Sequence, residues 1–192
     1  MTEVARVQRE LKHFQSDKGG MTLIADANSI RHLIATIPGP VSTPYEGGVF
    51  GVDITIPDGY PFVPPKMKFT TKVWHPNVSS QTGAICLDIL KNNWSPALNL
   101  KTALLSLQAL LSAPEPGDPQ DAVVAKQYIT ENAEFLTTAR RWTEDFAKAS
   151  STGFGAKVQK LVEMGFQEGS VKKALEAAGG DESKALEKLC SK

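Results

Sequence analysis

Val49-Phe50-Gly51-Val52-Asp53-Ile54-Thr55-Ile56 is the stretch that decides the fold. Apolar side chains alternate with polar or small ones over part of it, the period-2 pattern of a strand with one covered face. Glu46-Gly47-Gly48 precedes it and Asp58-Gly59-Tyr60-Pro61 follows it, both turn-forming. The same β character recurs in Thr22–Ala25, Arg31–Ile37 and Lys66–Thr70, with Pro38-Gly39-Pro40 as a further break. Successive strands joined by short turns predict an antiparallel four-stranded meander. Upstream, Val4, Val7, Leu11 and Phe14 lie on one helical stripe with Arg6, Arg9 and Lys12 off it, and Gly19-Gly20 ends that helix.

Downstream the periodicity stops. Thr71–Leu98 shows little of it, and so long an irregular segment inside a compact domain is usually functional. It holds Trp74, His75-Pro76-Asn77, Cys86 and Trp94. A helix is then expected over Leu100–Ser112; Leu104, Leu105, Leu107, Leu110 and Leu111 make it apolar around most of its circumference, hence largely buried. Ala113-Pro114-Glu115-Pro116-Gly117-Asp118-Pro119 breaks the chain, and two more helices are expected at Asp121–Thr130 and Ala133–Ala149. Ser150-Ser151-Thr152-Gly153 reads as a linker. Residues 154–192 contain no proline or tryptophan and are rich in Lys, Glu and Ala, with three short helices expected near Gly155–Met164, Glu168–Ala178 and Asp181–Leu189. The fold class is therefore α+β, residues 1–149, with a small all-α three-helix bundle at 154–192.

Composition excludes several functions. Lys plus Arg and Asp plus Glu both total 21 in 192 residues. That balance lacks the basic excess of a nucleic-acid binder. There is no phosphate-cradling glycine motif, and three histidines and two distant cysteines give no metal-ligand spacing, so neither metal nor cofactor is expected. No run approaches the roughly 20 apolar residues of a membrane helix, and Met1–Arg6 carries no apolar signal run. Cys86 and Cys190 form no disulfide framework. A reducing compartment, the cytoplasm and also the nucleus, is the expected location, and Asn77-Val78-Ser79 and Asn93-Trp94-Ser95 are not read as glycosylation sites.

Cys86 is the candidate nucleophile. A thiol of ordinary pKa is a few per cent thiolate at neutral pH and exchanges with thioesters without a dedicated base. Asn77, nine residues earlier, is a candidate donor to a tetrahedral oxyanion, a role that contributes about 3 kcal/mol, or a turn former. His75 is a candidate base for Cys86, as in cysteine hydrolases, or a turn residue whose imidazole bonds backbone and fixes Asn77. His13 and His32 read as structural, Cys190 as packing.

His-Pro-Asn at 75–77, Gly-x-Ile-Cys-Leu-Asp at 83–88 and Trp-Ser-Pro at 94–96 together resemble the core of a ubiquitin-conjugating enzyme. Tyr60-Pro61-Phe62, Pro64-Pro65-Lys66 and Pro116-Gly117-Asp118-Pro119 extend the likeness over residues 1–150. In the tail, Met164-Gly165-Phe166 with Leu186 and Leu189 resembles a ubiquitin-associated (UBA) domain. The resemblance implies that Cys86 accepts ubiquitin from the activating enzyme and passes it to lysines of substrate proteins, building polyubiquitin chains for degradation. It implies that Asn77 stabilises the oxyanion or orders the loop, that Asp118 positions or deprotonates the lysine, and that Asp88 and Leu105 line the donor-ubiquitin groove. Arg6, Phe62, Pro96 and Ala97 become the surface met by ligases and the activating enzyme. Met164, Gly165, Phe166 and Leu189 become a ubiquitin-binding patch. Gly117 stands where relatives often carry a second acid, and the Cys86–Trp94 loop lacks the acidic insertion of one branch. Two other functions are compatible with these residues: a non-catalytic ubiquitin-binding adaptor, or a cysteine hydrolase using Cys86 and His75.

Overall fold

A computed structural model describes residues 3–14, 20–148, 161–162, 164, 166–178 and 182–190. The chain forms two compact units, Met1–Ala147 and Lys148–Lys192. The first opens with α1 (Glu3–Phe14), then β1 (Thr22–Asp26), β2 (Ser29–Pro38), β3 (Val49–Thr55) and β4 (Lys66–Phe69). The strands pair antiparallel in the order β1-β2-β3-β4. Leu33 opposes Ile54 and Val52 opposes Phe69, so the alternation in β3 stacks its apolar side chains with those of both neighbours. Leu33, Ala35, Ile37, Phe50, Val52 and Ile54 are each 1% exposed or less on the covered face.

That face receives α2 (Leu100–Ser112), whose Leu100, Leu104, Leu107 and Leu111 join the same core. Asn99 starts the helix through a reciprocal capping box with Thr102: each side chain engages the other's backbone N–H at 2.9 Å. α1 is fastened to this start. Glu10 accepts from Leu100 N–H at 2.8 Å and from the Tyr60 hydroxyl at 2.9 Å, and it pairs with Arg6. Burial, before the Glu10 charge, holds the Tyr60 phenol far above its ordinary pKa, so it stays a donor.

α3 (Ala122–Thr130) and α4 (Asn132–Trp142) complete the unit. The expected single helix over Ala133–Ala149 is interrupted: a wider π turn occupies Thr143–Ala147. The change begins at Thr143, which is buried and whose hydroxyl donates to Ala139 O at 2.9 Å alongside its own backbone N–H.

The second unit contains α5 (Glu168–Ala177) and α6 (Glu182–Cys190). Leu161, Val171, Ala174 and Ala185 are its buried centre, with Val162, Phe166, Leu186 and Leu189 packed against them. Most of the first helix expected in the tail, and the whole linker at 150–153, lie outside the described residues. Among the described residues, no helix is long and apolar enough to cross a membrane.

Candidate active site

The irregular segment after β4 is organised by backbone pairing that its sequence does not display. Phe69 N–H donates to Gly83 O, Gly83 N–H to Ser79 O, Ser79 N–H to Ala84 O and Cys86 N–H to Asn77 O, all at 2.8–2.9 Å. Residues 77–86 thus form a narrow doubled-back arm against the end of β4. Gly83 has φ +75°, and a Cβ there would stand 2.0 Å from the Phe69 carbonyl oxygen. Only glycine meets both demands.

His75 and Asn77 lock the base of this arm. His75 Nδ1 accepts from Asn77 N–H at 3.0 Å, and Nε2–H donates to Leu110 O at 2.9 Å. The ring is fully enclosed, and desolvation, partly opposed by the Leu110 bond, lowers its pKa to about 4. Both nitrogens are therefore spent on backbone and neither serves the thiol: the expectation of His75 as a base for Cys86 is corrected.

Asn77 is 1% exposed, and its carboxamide is used in full. Nδ2 donates to Glu115 O at 2.8 Å and Asp118 O at 2.9 Å, while Oδ1 accepts from Glu115 N–H at 2.8 Å. Both amide hydrogens are committed, so this geometry offers an oxyanion no free donor at Asn77. The loop 115–118 is instead pinned to the arm. Nearby bonds reinforce the junction: Gln120 and Asp121 N–H donate to Pro76 O at 2.9 and 3.0 Å. Asp121 Oδ2 takes Ser80 N–H and Oγ–H, while its Oδ1 caps α3 through Val123 and Val124. Burial would raise the Asp121 pKa, but these hydrogen bonds outweigh it and hold the carboxyl below its usual range.

The junction delivers Asp118 to the thiol. Cys86 Sγ–H donates to Asp118 Oδ2 at 3.2 Å. From the other side Lys91 Nζ donates to Sγ at 3.0 Å. Its hydrogen bond to Cys86, followed by the Cys86 charge, raises the Lys91 pKa. Cys86 is 8% exposed, while Asp118 and Lys91 are open to solvent. A nucleophile just beneath the surface thus meets a solvent-exposed carboxylate and cation, an arrangement suited to acyl exchange on sulfur. Lys91 was not visible as a site residue in the sequence. The only available signal was its position just past the Asp88–Leu90 3₁₀ turn, itself hidden in a segment without periodicity.

The other expected residues divide into groups. Asp88 is exposed, but its carboxylate is occupied by Ile89 N–H at 2.7 Å and Asn93 Nδ2 at 2.8 Å, which shape the 88–93 loop. Leu105 is 45% exposed on the outer side of α2. Phe62 is 81% exposed, and Pro96 and Ala97 are exposed as well. The Phe62 and Pro96 loops are joined because Trp94 Nε1–H donates to Pro61 O at 2.7 Å. Arg6 reaches the same loop through Leu98 O at 3.0 Å and Pro96 O at 3.3 Å, which makes it a half-buried brace as well as part of the surface.

In the second unit Met164 is 56% exposed. Phe166 and Leu189 are half-buried, since a centre this small needs their side chains. Gly165 lies outside the described residues.

Comparison with known proteins agrees with this geometry. The family profile described as ubiquitin-conjugating enzyme matches residues 6–143, and that of the UBA/TS-N domain matches residues 156–189. Ubiquitin-conjugating enzyme E2 27 of Arabidopsis thaliana is 61% identical over the full length of both chains. Ubiquitin-conjugating enzyme E2 K of Homo sapiens is 47% identical, over 98% of this chain and 97% of its own. Among solved structures, the E2 domain of a Toxoplasma gondii ubiquitin conjugating enzyme superposes with a TM-score of 0.73 at 56% identity, covering 76% of this chain and 99% of that one. The chain belongs to the ubiquitin-conjugating enzyme family and carries a C-terminal UBA domain. It is a thioester-forming transferase of the ubiquitin conjugation pathway, which removes the adaptor and hydrolase alternatives.

Proposed function

We propose that Cys86 is the atom that accepts the ubiquitin C-terminus as a thioester from the activating enzyme and gives it up to lysine amines, building polyubiquitin chains that mark proteins for degradation. One observation carries this reading: the Cys86 sulfur, itself 8% exposed, stands between the solvent-exposed Asp118 carboxylate and Lys91 ammonium. Asp118 receives the acceptor lysine and takes up its proton. An ordinary lysine, with a pKa of about 10.4, is almost wholly protonated at pH 7 and must lose that proton to attack. Asn77 and His75 act one step back, by holding the Asp118 loop and the Cys86 arm in register.

The remaining roles follow the exposed surfaces. Leu105 and the 88–93 loop shaped by Asp88 receive the donor ubiquitin. Phe62, Pro96 and Ala97, with Arg6 bracing their loop, meet the activating enzyme and ligases. Met164 and Gly165, with the edges of Phe166 and Leu189, bind ubiquitin non-covalently as a separate module in residues 154–192, linked at 150–153. Action in the cytoplasm and nucleus fits this role.

Incubating the full chain with activating enzyme, ATP and ubiquitin tests the central claim. The expected product is an adduct cleaved by reducing agent and mapped by mass spectrometry to the Cys86 peptide. Cys86→Ser should convert it to an ester that survives the reductant. An adduct mapped to another residue would sink the assignment. For Asp118→Ala, discharge onto free lysine should slow about a hundredfold at pH 7, the lower end of general-base effects. At pH 9, where more acceptor amine is already neutral, the deficit should narrow. An equal deficit at both pH values would remove Asp118 from amine activation.

A further inference from the structure

Lys91 lies five residues beyond Cys86 and one past the 3₁₀ turn, where its own N–H donates to Asp88 O at 2.9 Å. That turn aims the side chain back at the sulfur, which it meets at 3.0 Å. The other charged groups nearby are engaged or more remote. Asp118 holds the opposite side of the sulfur. Asp88 is bound to Ile89 and Asn93. Lys66 and Lys68 line the same open groove of about 390 Å³ as Lys91, and Lys68 pairs with Asp53 at 3.8 Å. Among the hydrogen bonds described, Lys91 is the cation that reaches the reacting atom.

We propose that Lys91 is a further catalytic residue, whose ammonium carries the negative charge of Cys86 Sγ at the two moments when the sulfur bears it. The proposal rests on Cys86 being the thioester carrier. In loading, the deprotonated sulfur attacks the carbonyl carbon of the incoming thioester. The new S–C bond forms, the old one breaks, and the departing thiolate remains on the activating enzyme. In discharge, the neutral acceptor amine attacks the carbonyl carbon of the Cys86 thioester. The tetrahedral intermediate collapses, the C–S bond breaks, and its electron pair returns to Sγ while the surplus amine proton passes to Asp118 or water. In both steps a charge-assisted hydrogen bond from Nζ to the sulfur favours the anionic form. While the sulfur is free, its hydrogen bond to Lys91 strengthens the hold of the ammonium on its proton, so Lys91 stays cationic when the thiolate forms.

The test compares full-length wild type, Lys91→Met and Lys91→Arg. Single-turnover loading, discharge onto free lysine, and alkylation of Cys86 by iodoacetamide are measured across pH. Lys91→Met should slow all three about fivefold at pH 7, the upper end for a largely exposed charge pair, and Lys91→Arg should recover most of the loss. The alkylation deficit should shrink toward pH 9.5, where an ordinary thiol, titrating near about 8.5, is ionised without help. Unchanged rates in Lys91→Met overturn the proposal. So does a deficit confined to discharge with alkylation intact, which would put Lys91 on the acceptor and not on the sulfur. Failure of the wild type to form any Cys86 adduct would instead overturn the thioester assignment.

Discussion

Asn77→Ala is expected to lower the stability of the first unit by about 3 kcal/mol and to slow discharge onto lysine on the order of a hundredfold. The substitution leaves Glu115 N–H, Glu115 O and Asp118 O without the partners that the carboxamide supplies. With those partners gone the largely exposed 115–118 loop, which carries Asp118, is expected to move outward as these groups turn to water. A shift of about 1 Å in a positioning group is enough for a hundredfold loss. Loading should suffer much less, because thiol exchange needs no proton taken from an amine.

Asn77→Asp sharpens the test. Its carboxylate still accepts from Glu115 N–H but faces two carbonyl oxygens where Nδ2 donated, so it should be no better than alanine. All three tryptophans, Trp74, Trp94 and Trp142, lie in the first unit, so urea unfolding followed by their fluorescence reports on that unit alone. A hundredfold discharge defect with unaltered stability would mean that the amide leaves its loop contacts to serve the transition state directly.

The second large effect is acid destabilisation through His75. Its pKa falls from the ordinary 6.5 of an unfolded chain to about 4 in the fold, because burial disfavours the charged ring. Below 6.5 the unfolded chain binds a proton that the native ring refuses, so stability is lost as pH falls from 6.5 toward 4. The loss levels off once the native ring also protonates. Linkage puts the cost at about 2 kcal/mol by pH 5 and about 3 kcal/mol by pH 4. His32 acts in the opposite direction. Its bonds to Asp53, then Asp26, raise its pKa, so its contribution is present below 6.5 and fades as pH rises through that higher value. The His75 effect is therefore read as the difference between wild type and His75→Gln, measured by urea unfolding at pH 7 and pH 5. The variant should lack most of the loss between the two. Equal losses in both proteins would show that His75 is not the titrating group.

The sequence made the meander and its helices legible because each element repeats a simple period. β3 alternates, and α2 carries leucines on most of its circumference between Asn99 and Ala113. The end of the expected fourth helix was not legible, because the widening of the ladder from Thr143 onward leaves no mark on periodicity. At the site, Cys86 stood out by its flanking residues. The roles of His75 and Asn77 as tethers were not decidable in advance, since the same side chains serve as base and oxyanion donor elsewhere. What settles their use is the position of Leu110 O and of the 115–118 backbone, which comes from folding distant segments together. Lys91 was hidden for the converse reason: its contact is local, but it depends on a single irregular turn.

The sulfur's two neighbours differ in how far along the chain they come from. Lys91 is five positions away, and Asp118 is thirty-two. The nearer one accompanies the thiol whenever the short turn exists. The farther one arrives only when the interior has closed and the carboxamide latch at Asn77 has caught, and contacts of long sequence separation are costly to form. The pairing of Asp118 with the sulfur therefore depends on closure of the whole domain, whereas that of Lys91 depends on one local turn.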